Sequence, residues 1–124
     1  VLGAETRLGQ VLVNLITNAQ SFSPDGGIIR VGLTRERGWI TLVVEDQGPG
    51  IPEDRLTKIF SRFYTDRPEK DSFGRYSGLG LSISQQIIDA HGGVIRAENA
   101  ERDGKVTGAR LVVRLPEMPA DYRL

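Results

Sequence analysis

Apolar residues alternate in two separate places along this chain, each time on both sides of a turn, and this pattern decides how the backbone can pair. Ile29, Val31 and Leu33 alternate as in a strand. Arg35-Glu36-Arg37-Gly38 reads as a hairpin connection into Trp39–Glu45, where Ile40, Leu42 and Val44 share a face. Val94–Glu98 and Thr107–Leu115 make a second hairpin, with Leu111, Val113 and Leu115 alternating inward. Hairpins set neighbouring strands antiparallel. A doubly wound nucleotide fold needs parallel strands and long crossovers, so the pattern argues against it.

Helical spacing fills the gaps between the hairpins. Leu8, Val11, Leu12, Leu15, Ile16, Ala19 and Phe22 predict a helix from roughly Glu5 to Phe22 with one buried stripe, stopped by Ser23-Pro24-Asp25-Gly26-Gly27. Pro52 suits the first turn of a short helix, about Glu53 to Ile59. Thr65 to Ser77 reads as a long mobile loop. Leu81 to His91 is amphipathic and ends at a glycine stop, Gly92-Gly93. The order predicts an α/β two-layer sandwich: a mixed, largely antiparallel sheet covered on one face by about three helices.

With 124 residues, the chain suits a single domain over 1–124, its core about 5–116 and a tail at 117–124 beyond Pro116. Sixteen basic and sixteen acidic residues cancel, which removes the usual electrostatic case for nucleic acid or an anionic membrane. No apolar run approaches the ~20 residues that span a bilayer. Without cysteine there is neither a disulfide framework nor a thiolate metal site. The single histidine, His91, stands in Ala-His-Gly-Gly at a helix end, where an imidazole caps carbonyls; its expected role is structural. Val1 is not a methionine and runs directly into a helix, which predicts a piece of something longer.

Three clusters carry candidate chemistry. Ser77-Gly78-Leu79-Gly80-Leu81 opens a helix, where glycines allow close approach and the unpaired first-turn amides and the dipole suit a phosphate. A tight turn would use the same residues. Asn14 and Asn18 are four apart and so share a helix face. Their amide oxygens suit Mg²⁺, which takes one or two protein ligands beside substrate phosphates; two solvated asparagines would look alike. Asp46 ends an apolar strand and enters Gly48-Pro49-Gly50, either as a turn residue or as a placed acid. No G-x-x-x-x-G-K-[ST] is present, so a P-loop is excluded.

Taken in order, Asn14-Leu15-Ile16-Thr17-Asn18-Ala19, Glu45-Asp46-Gln47-Gly48-Pro49-Gly50-Ile51-Pro52, Ile59-Phe60-Ser61-Arg62-Phe63-Tyr64 and the Gly78/Gly80 segment form a series. It resembles the N, first glycine, F and second glycine boxes of the histidine protein kinase ATP-binding domain. That domain belongs to the superfamily shared by gyrase, mismatch-repair and chaperone ATPases. The resemblance runs from about Glu5 to Pro116 and implies a Bergerat-type fold with 65–77 as a mobile ATP lid. It implies Asn18 as a direct Mg²⁺ ligand and Asn14 as a direct or water-mediated helper, the two forming the catalytic pair. It assigns Asp46 to the exocyclic amine of adenine, where guanine would present a carbonyl and leave a buried charge unpaired. Gly48 and Gly50 would shape the pocket floor, Ile51 would pack on the base, and Ser77, Gly78, Leu79, Gly80 and Leu81 would cradle phosphates.

The chain departs from the family pattern in places. Phe22 stands where many relatives carry tyrosine; it either stacks on adenine or continues the core stripe. Ser21 replaces a common lysine, and Thr65 a common arginine, which leaves Arg67 the first candidate for the γ-phosphate, with Arg62 and Arg75 nearby. Phe60 and Phe63 look like lid-base anchors or core residues. Hydrolysing members place a glutamate at position 14 as general base; asparagine cannot accept a proton. A histidine acceptor, with an unperturbed pKa of ~6.5, needs less help, so this residue favours transfer over hydrolysis.

The resemblance therefore implies a transferase of bacterial two-component signal transduction. It would pass the γ-phosphate of Mg-ATP to a histidine on a separate dimerisation and phosphoacceptor hairpin, making a phosphoprotein of the parent. That hairpin is outside this chain, which is expected to bind ATP but not to phosphorylate itself. A response regulator is the expected downstream partner; neither nucleic acid nor direct membrane contact is expected. The expected location is the cytoplasmic side of an inner-membrane receptor. An ATP hydrolase of the same superfamily, or a nucleotide-sensing or docking module without transfer, are the alternatives.

Overall fold

A computed structural model describes residues 5–60 and 79–117. The element order is α1 (Glu5–Phe22), β1 (Arg30–Glu36), β2 (Trp39–Glu45), two 3-10 turns (Glu53–Arg55 and Lys58–Phe60), α2 (Leu79–Ala90), β3 (Val94–Arg102) and β4 (Lys105–Pro116). The strands form one sheet in the order β1-β2-β4-β3, and every described pairing is antiparallel. Helices on one face of this sheet make the two-layer α/β sandwich that the sequence predicts; the described pairings contain no parallel, and hence no mixed, element.

Both hairpins close more tightly than the apolar pattern suggests. Arg37 and Gly38 take φ of 51° and 82°, and Asp103 and Gly104 take 55° and 77°. Two successive left-handed residues suit a two-residue turn whose twist matches the strands it joins. Arg35 and Glu36 therefore belong to β1 rather than to its connection, and β3 and β4 extend to Arg102 and Lys105. The helix expected over Glu53 to Ile59 is instead two 3-10 turns. Arg55 N–H donates to the Pro52 carbonyl at 2.8 Å, an i→i−3 bond that winds the chain more tightly than an α-helix.

Register explains the core. Val31, Val44, Leu111 and Ala97 stand in one row across the sheet, and Leu33, Leu42, Val113 and Ile95 in the next. Val11, Leu15 and Ala19 of α1 and Ile87 and Ile88 of α2 pack onto this face, with Ile59 and Phe60 joining them. Leu15 and Ile88 are fully buried; truncating either to alanine would cost about 2–5 kcal/mol. Among the described residues the helices leave the edge strand β1 uncovered: Val31 and Leu33 share rows with buried residues yet are 51% and 69% exposed.

The end of α2 is capped by its own sequence. Gly92 turns left-handed at φ 76°, letting Gly93 N–H reach the Ile88 carbonyl at 2.9 Å and Gly92 N–H the Asp89 carbonyl at 3.0 Å. His91 donates from Nδ1 to the Ile87 carbonyl at 2.7 Å, the structural capping expected of it. On the opposite face of the sheet, Arg110 bridges Glu45 at 2.8 Å and Glu98 at 2.6 Å, and Arg96 pairs with Glu98. The Arg110 guanidinium beside Glu98 holds its carboxyl below the usual carboxylate range, Arg96 adding to this and desolvation opposing it.

Candidate nucleotide site

Asp46 is the first residue beyond β2, and only 4% of it is exposed. Its N–H donates to the Ala109 carbonyl at 2.9 Å, which carries the β2–β4 pairing one residue past the strand. Its Oδ1 accepts from Gly48 N–H at 2.8 Å and from Ala109 N–H at 3.0 Å. Both bonds fall on one oxygen and leave Oδ2 to receive a further donor. The carboxylate is thus oriented by two backbone donors, one from its own loop and one from β4.

Two glycines make room for it. A Cβ on Gly108 would overlap the Asp46 carbonyl. A Cβ on Gly48 would stand 2.5 Å from the Phe22 carbonyl and 3.2 Å from Asp46 Oδ1. The close approach at Gly48 joins the end of α1 to the Asp46 loop, so Phe22, Asp46 and Gly48 meet.

The next turn of the loop is fixed by β3. Gly50 is left-handed at φ 84°, and a Cβ there would stand 2.5 Å from Val106 Cγ1 and 2.9 Å from Asn99 Oδ1. The Asn99 side chain pairs with both backbone groups of Ile51. Its Oδ1 accepts from Ile51 N–H at 2.7 Å, and its Nδ2 donates to the Ile51 carbonyl at 2.8 Å. Phe22, Pro49, Gly50, Ile51, Asn99 and Val106 line a cleft of ≈ 720 Å³, together with Pro52, Leu56 and three glutamates. That volume lies in the range of small-molecule sites.

Asn14, Asn18 and Phe22 follow one another at intervals of four and so form a single stripe on α1. Asn14 Nδ2 donates to Ser84 Oγ at 3.3 Å, and Ser84 is fully buried on α2. This bond ties the asparagine helix to the helix that follows the glycine pair. Asn18 is half-buried, and its side-chain amide makes no hydrogen bond among the described residues. Ser21 Oγ donates to the Asn18 carbonyl at 2.7 Å, a local bond in place of the lysine common there.

The predicted residues thus fall in two connected groups. Asp46, Gly48, Gly50, Ile51 and Phe22 gather around one loop, of which Phe22, Gly50 and Ile51 line the cleft and Asp46 and Gly48 do not; Asn18 and Asn14 lie one and two helical turns back from Phe22 and do not line it either. Leu79 and Gly80 are the first residues of α2, and Leu81 packs on the core. Phe60 is buried in the core, the plainer of its two expected roles. Arg67, Ser77 and Gly78, with Arg62, Phe63, Thr65, Arg75, the whole of 65–77 and the tail after Glu117, lie outside the described residues.

Sequence reasoning missed Asn99 and Gly108. Each carried a signal: glycine inside a strand marks a close backbone approach, and asparagine is depleted in strands. Both residues lie in the stretch read as hairpin connection or strand, where no role was sought.

The family model described as "Histidine kinase-, DNA gyrase B-, and HSP90-like ATPase" matches residues 3–119. The sensor protein ChvG of Rhizobium meliloti (strain 1021) is 56% identical over 121 residues, which are 96% of this chain and 21% of that protein. The chain thus spans about a fifth of that relative's length. Among solved structures, the mycobacterial sensor histidine kinase MprB is similar with a TM-score of 0.83 and 36% identity, over 96% of this chain and 76% of that one. The histidine kinase ThkA, solved in complex with the response regulator protein TrrA, has a TM-score of 0.71 and 35% identity, over 95% of this chain and 30% of that one.

Proposed function

This chain belongs to the family of histidine kinase-, DNA gyrase B- and HSP90-like ATPases, as a counterpart of the catalytic domains of histidine kinases, and from that premise we propose how its residues act. It binds ATP with the purine beside Asp46 and passes the γ-phosphate to a histidine nitrogen on a separate helical hairpin, releasing ADP. The observation that carries the purine assignment is the Asp46 carboxylate. It is buried, held at Oδ1 by two backbone donors, and keeps Oδ2 for the exocyclic amine of adenine. A carbonyl in that place would face an acceptor with an acceptor, so guanine is rejected.

The cleft beside the Asp46 loop offers Phe22 and Ile51 as apolar surfaces for the base. The stripe Phe22, Asn18, Asn14 then runs from the purine end toward α2, whose first turn, with Gly80, suits the phosphates. The donor set fits magnesium: Asn18 is half-buried and its side-chain amide makes no hydrogen bond among the described residues, a neutral oxygen ligand suited to an ion that also takes phosphate and water. Bound there by Asn18 and Asn14, Mg²⁺ would supply charge neutralisation on the phosphates. Asn14 offers no carboxylate to activate water, so the site favours a histidine acceptor over hydrolysis. Ser77, Gly78 and Leu79 are assigned to the phosphate cradle with Gly80 and Leu81, and Arg67 to the γ-phosphate.

Among the described residues no helix is long and apolar enough to cross a membrane. We assign this chain to the cytoplasmic side of an inner-membrane parent whose phosphoacceptor hairpin it serves. A response regulator is the assigned downstream partner, a reading supported by the similar ThkA, which was solved in complex with the response regulator protein TrrA. Titration calorimetry with ATP, with and without Mg²⁺, tests binding. Incubation with γ-labelled ATP, alone and with the parent's hairpin added, tests transfer. Acid-labile label only on the hairpin is the expected result; stable label on this chain alone, or steady phosphate release, would overturn the assignment.

A further inference from the structure

The Asp46 loop reaches the cleft at Ile51, and it is one side chain from a distant strand that sets where Ile51 lies. Asn99, on β3, is 48 positions from Ile51 and engages both its N–H and its carbonyl, at 2.7 and 2.8 Å. The two bonds reproduce with a side-chain amide what a neighbouring strand would do with its backbone. The same amide stands against Gly50, whose left-handed turn leaves no room for a Cβ beside Asn99 Oδ1. Nothing else described donates to or accepts from the Ile51 backbone. Gly48, by contrast, is held by Asp46 itself.

From this geometry we infer that Asn99 is a positioning residue for the purine: although it borders the cleft, both ends of its amide are engaged by the Ile51 backbone, and it acts by pinning Ile51 against the base. The inference rests on the nucleotide reading of the cleft and adds a residue to it. An amide is required because Ile51 presents one donor and one acceptor, and only Asn among side chains of this reach matches both. Aspartate has the same size and the same Oδ1 acceptor, but it turns the donor facing the Ile51 carbonyl into a second acceptor. A role in packing alone would tolerate it.

The test compares the full chain with Asn99→Asp and Asn99→Ala by calorimetry with adenosine and with Mg-ATP, alongside amide exchange at Ile51 in the nucleotide-free protein. Both variants should bind adenosine and Mg-ATP about tenfold more weakly, by the same factor for each ligand, with the Mg²⁺ dependence unchanged. Exchange at Ile51 should quicken, while exchange at Leu15 and Ile88 in the core stays slow, which separates loop release from unfolding. Wild-type affinity in Asn99→Asp, or unaltered exchange at Ile51, would overturn the inference while leaving the nucleotide reading intact. Should the unaltered chain bind neither adenosine nor Mg-ATP, the nucleotide reading falls and the role of Asn99 in it falls too, whatever Ile51 exchange reports.

Discussion

Asp46 and Ala109 hold each other twice: the backbone N–H of Asp46 donates to the Ala109 carbonyl at 2.9 Å, and the N–H of Ala109 donates to Asp46 Oδ1 at 3.0 Å. The first bond continues the sheet; the second spends one carboxylate oxygen on architecture. The division of labour between the two oxygens makes separable predictions possible.

Asp46→Asn should fold and bind more weakly. An amide oxygen still accepts from Gly48 and Ala109, so the melting temperature should stay within a few degrees. The other terminus becomes a donor and meets the adenine amine, donor against donor. An unpaired buried polar group costs about 1–3 kcal/mol, hence roughly 5- to 150-fold in affinity. Calorimetry with adenosine and a thermal melt on the same sample decide it; unchanged adenosine affinity would remove Asp46 from the purine site.

Gly108→Ala should damage both fold and site. Its Cβ would overlap the Asp46 carbonyl, where the obstacle is backbone and cannot swing aside. Forcing a methyl into packed surroundings costs about 1–3 kcal/mol. Denaturant unfolding should show that loss, and nucleotide affinity should fall with it because Asp46 moves. Gly104→Ala is the contrast: it meets no neighbouring atom, and its cost comes only from the left-handed φ of 77°.

Most of the fold was legible because alternation and helical spacing are local. Ile40, Leu42 and Val44 and Leu111, Val113 and Leu115 all lie on the helix-facing rows, as their periodicity required. Strand length was read short, because Asn99, Glu101, Arg102 and Lys105 are polar and the Asp103-Gly104 turn signal between them was passed over. Propensity alone favours a single helix after Pro52; the structure has i→i−3 bonds at Arg55 and Leu56 instead, and the second turn packs Ile59 and Phe60 into the core, a tertiary contact that local spacing does not report. In the site, Asp46 and the asparagine pair were visible as motifs. Asn99 was not, because its meaning lies in a contact across 48 residues that no local window contains.

Asn18→Ala should separate metal from base. The side-chain amide of Asn18 makes no hydrogen bond among the described residues, so its loss costs little stability, less than about 1 kcal/mol for a half-exposed polar group. ATP affinity in the presence of Mg²⁺ should fall to its magnesium-free value, while adenosine affinity holds. Calorimetry in Mg²⁺ and in chelator gives the two numbers. A preserved Mg²⁺ increment would place the ion elsewhere.

Glu98→Gln should flatten the acid side of the stability profile. Arg110, and then Arg96, hold the Glu98 carboxyl below its ordinary value of 4.5 in the folded chain. A carboxylate with a depressed folded pKa stabilises fully above the unfolded value and loses that contribution as pH falls through the folded one. Wild type should therefore exceed Glu98→Gln in denaturant midpoint at pH 7, and the gap should close as pH drops below 4.5. Both partners are 33% exposed at the side chain, so solvent screening keeps the gap near or below about 1 kcal/mol. Added salt should narrow it further at pH 7. A gap that stayed constant from pH 7 to pH 3 would mean that Glu98 stabilises by packing, with its charge contributing nothing.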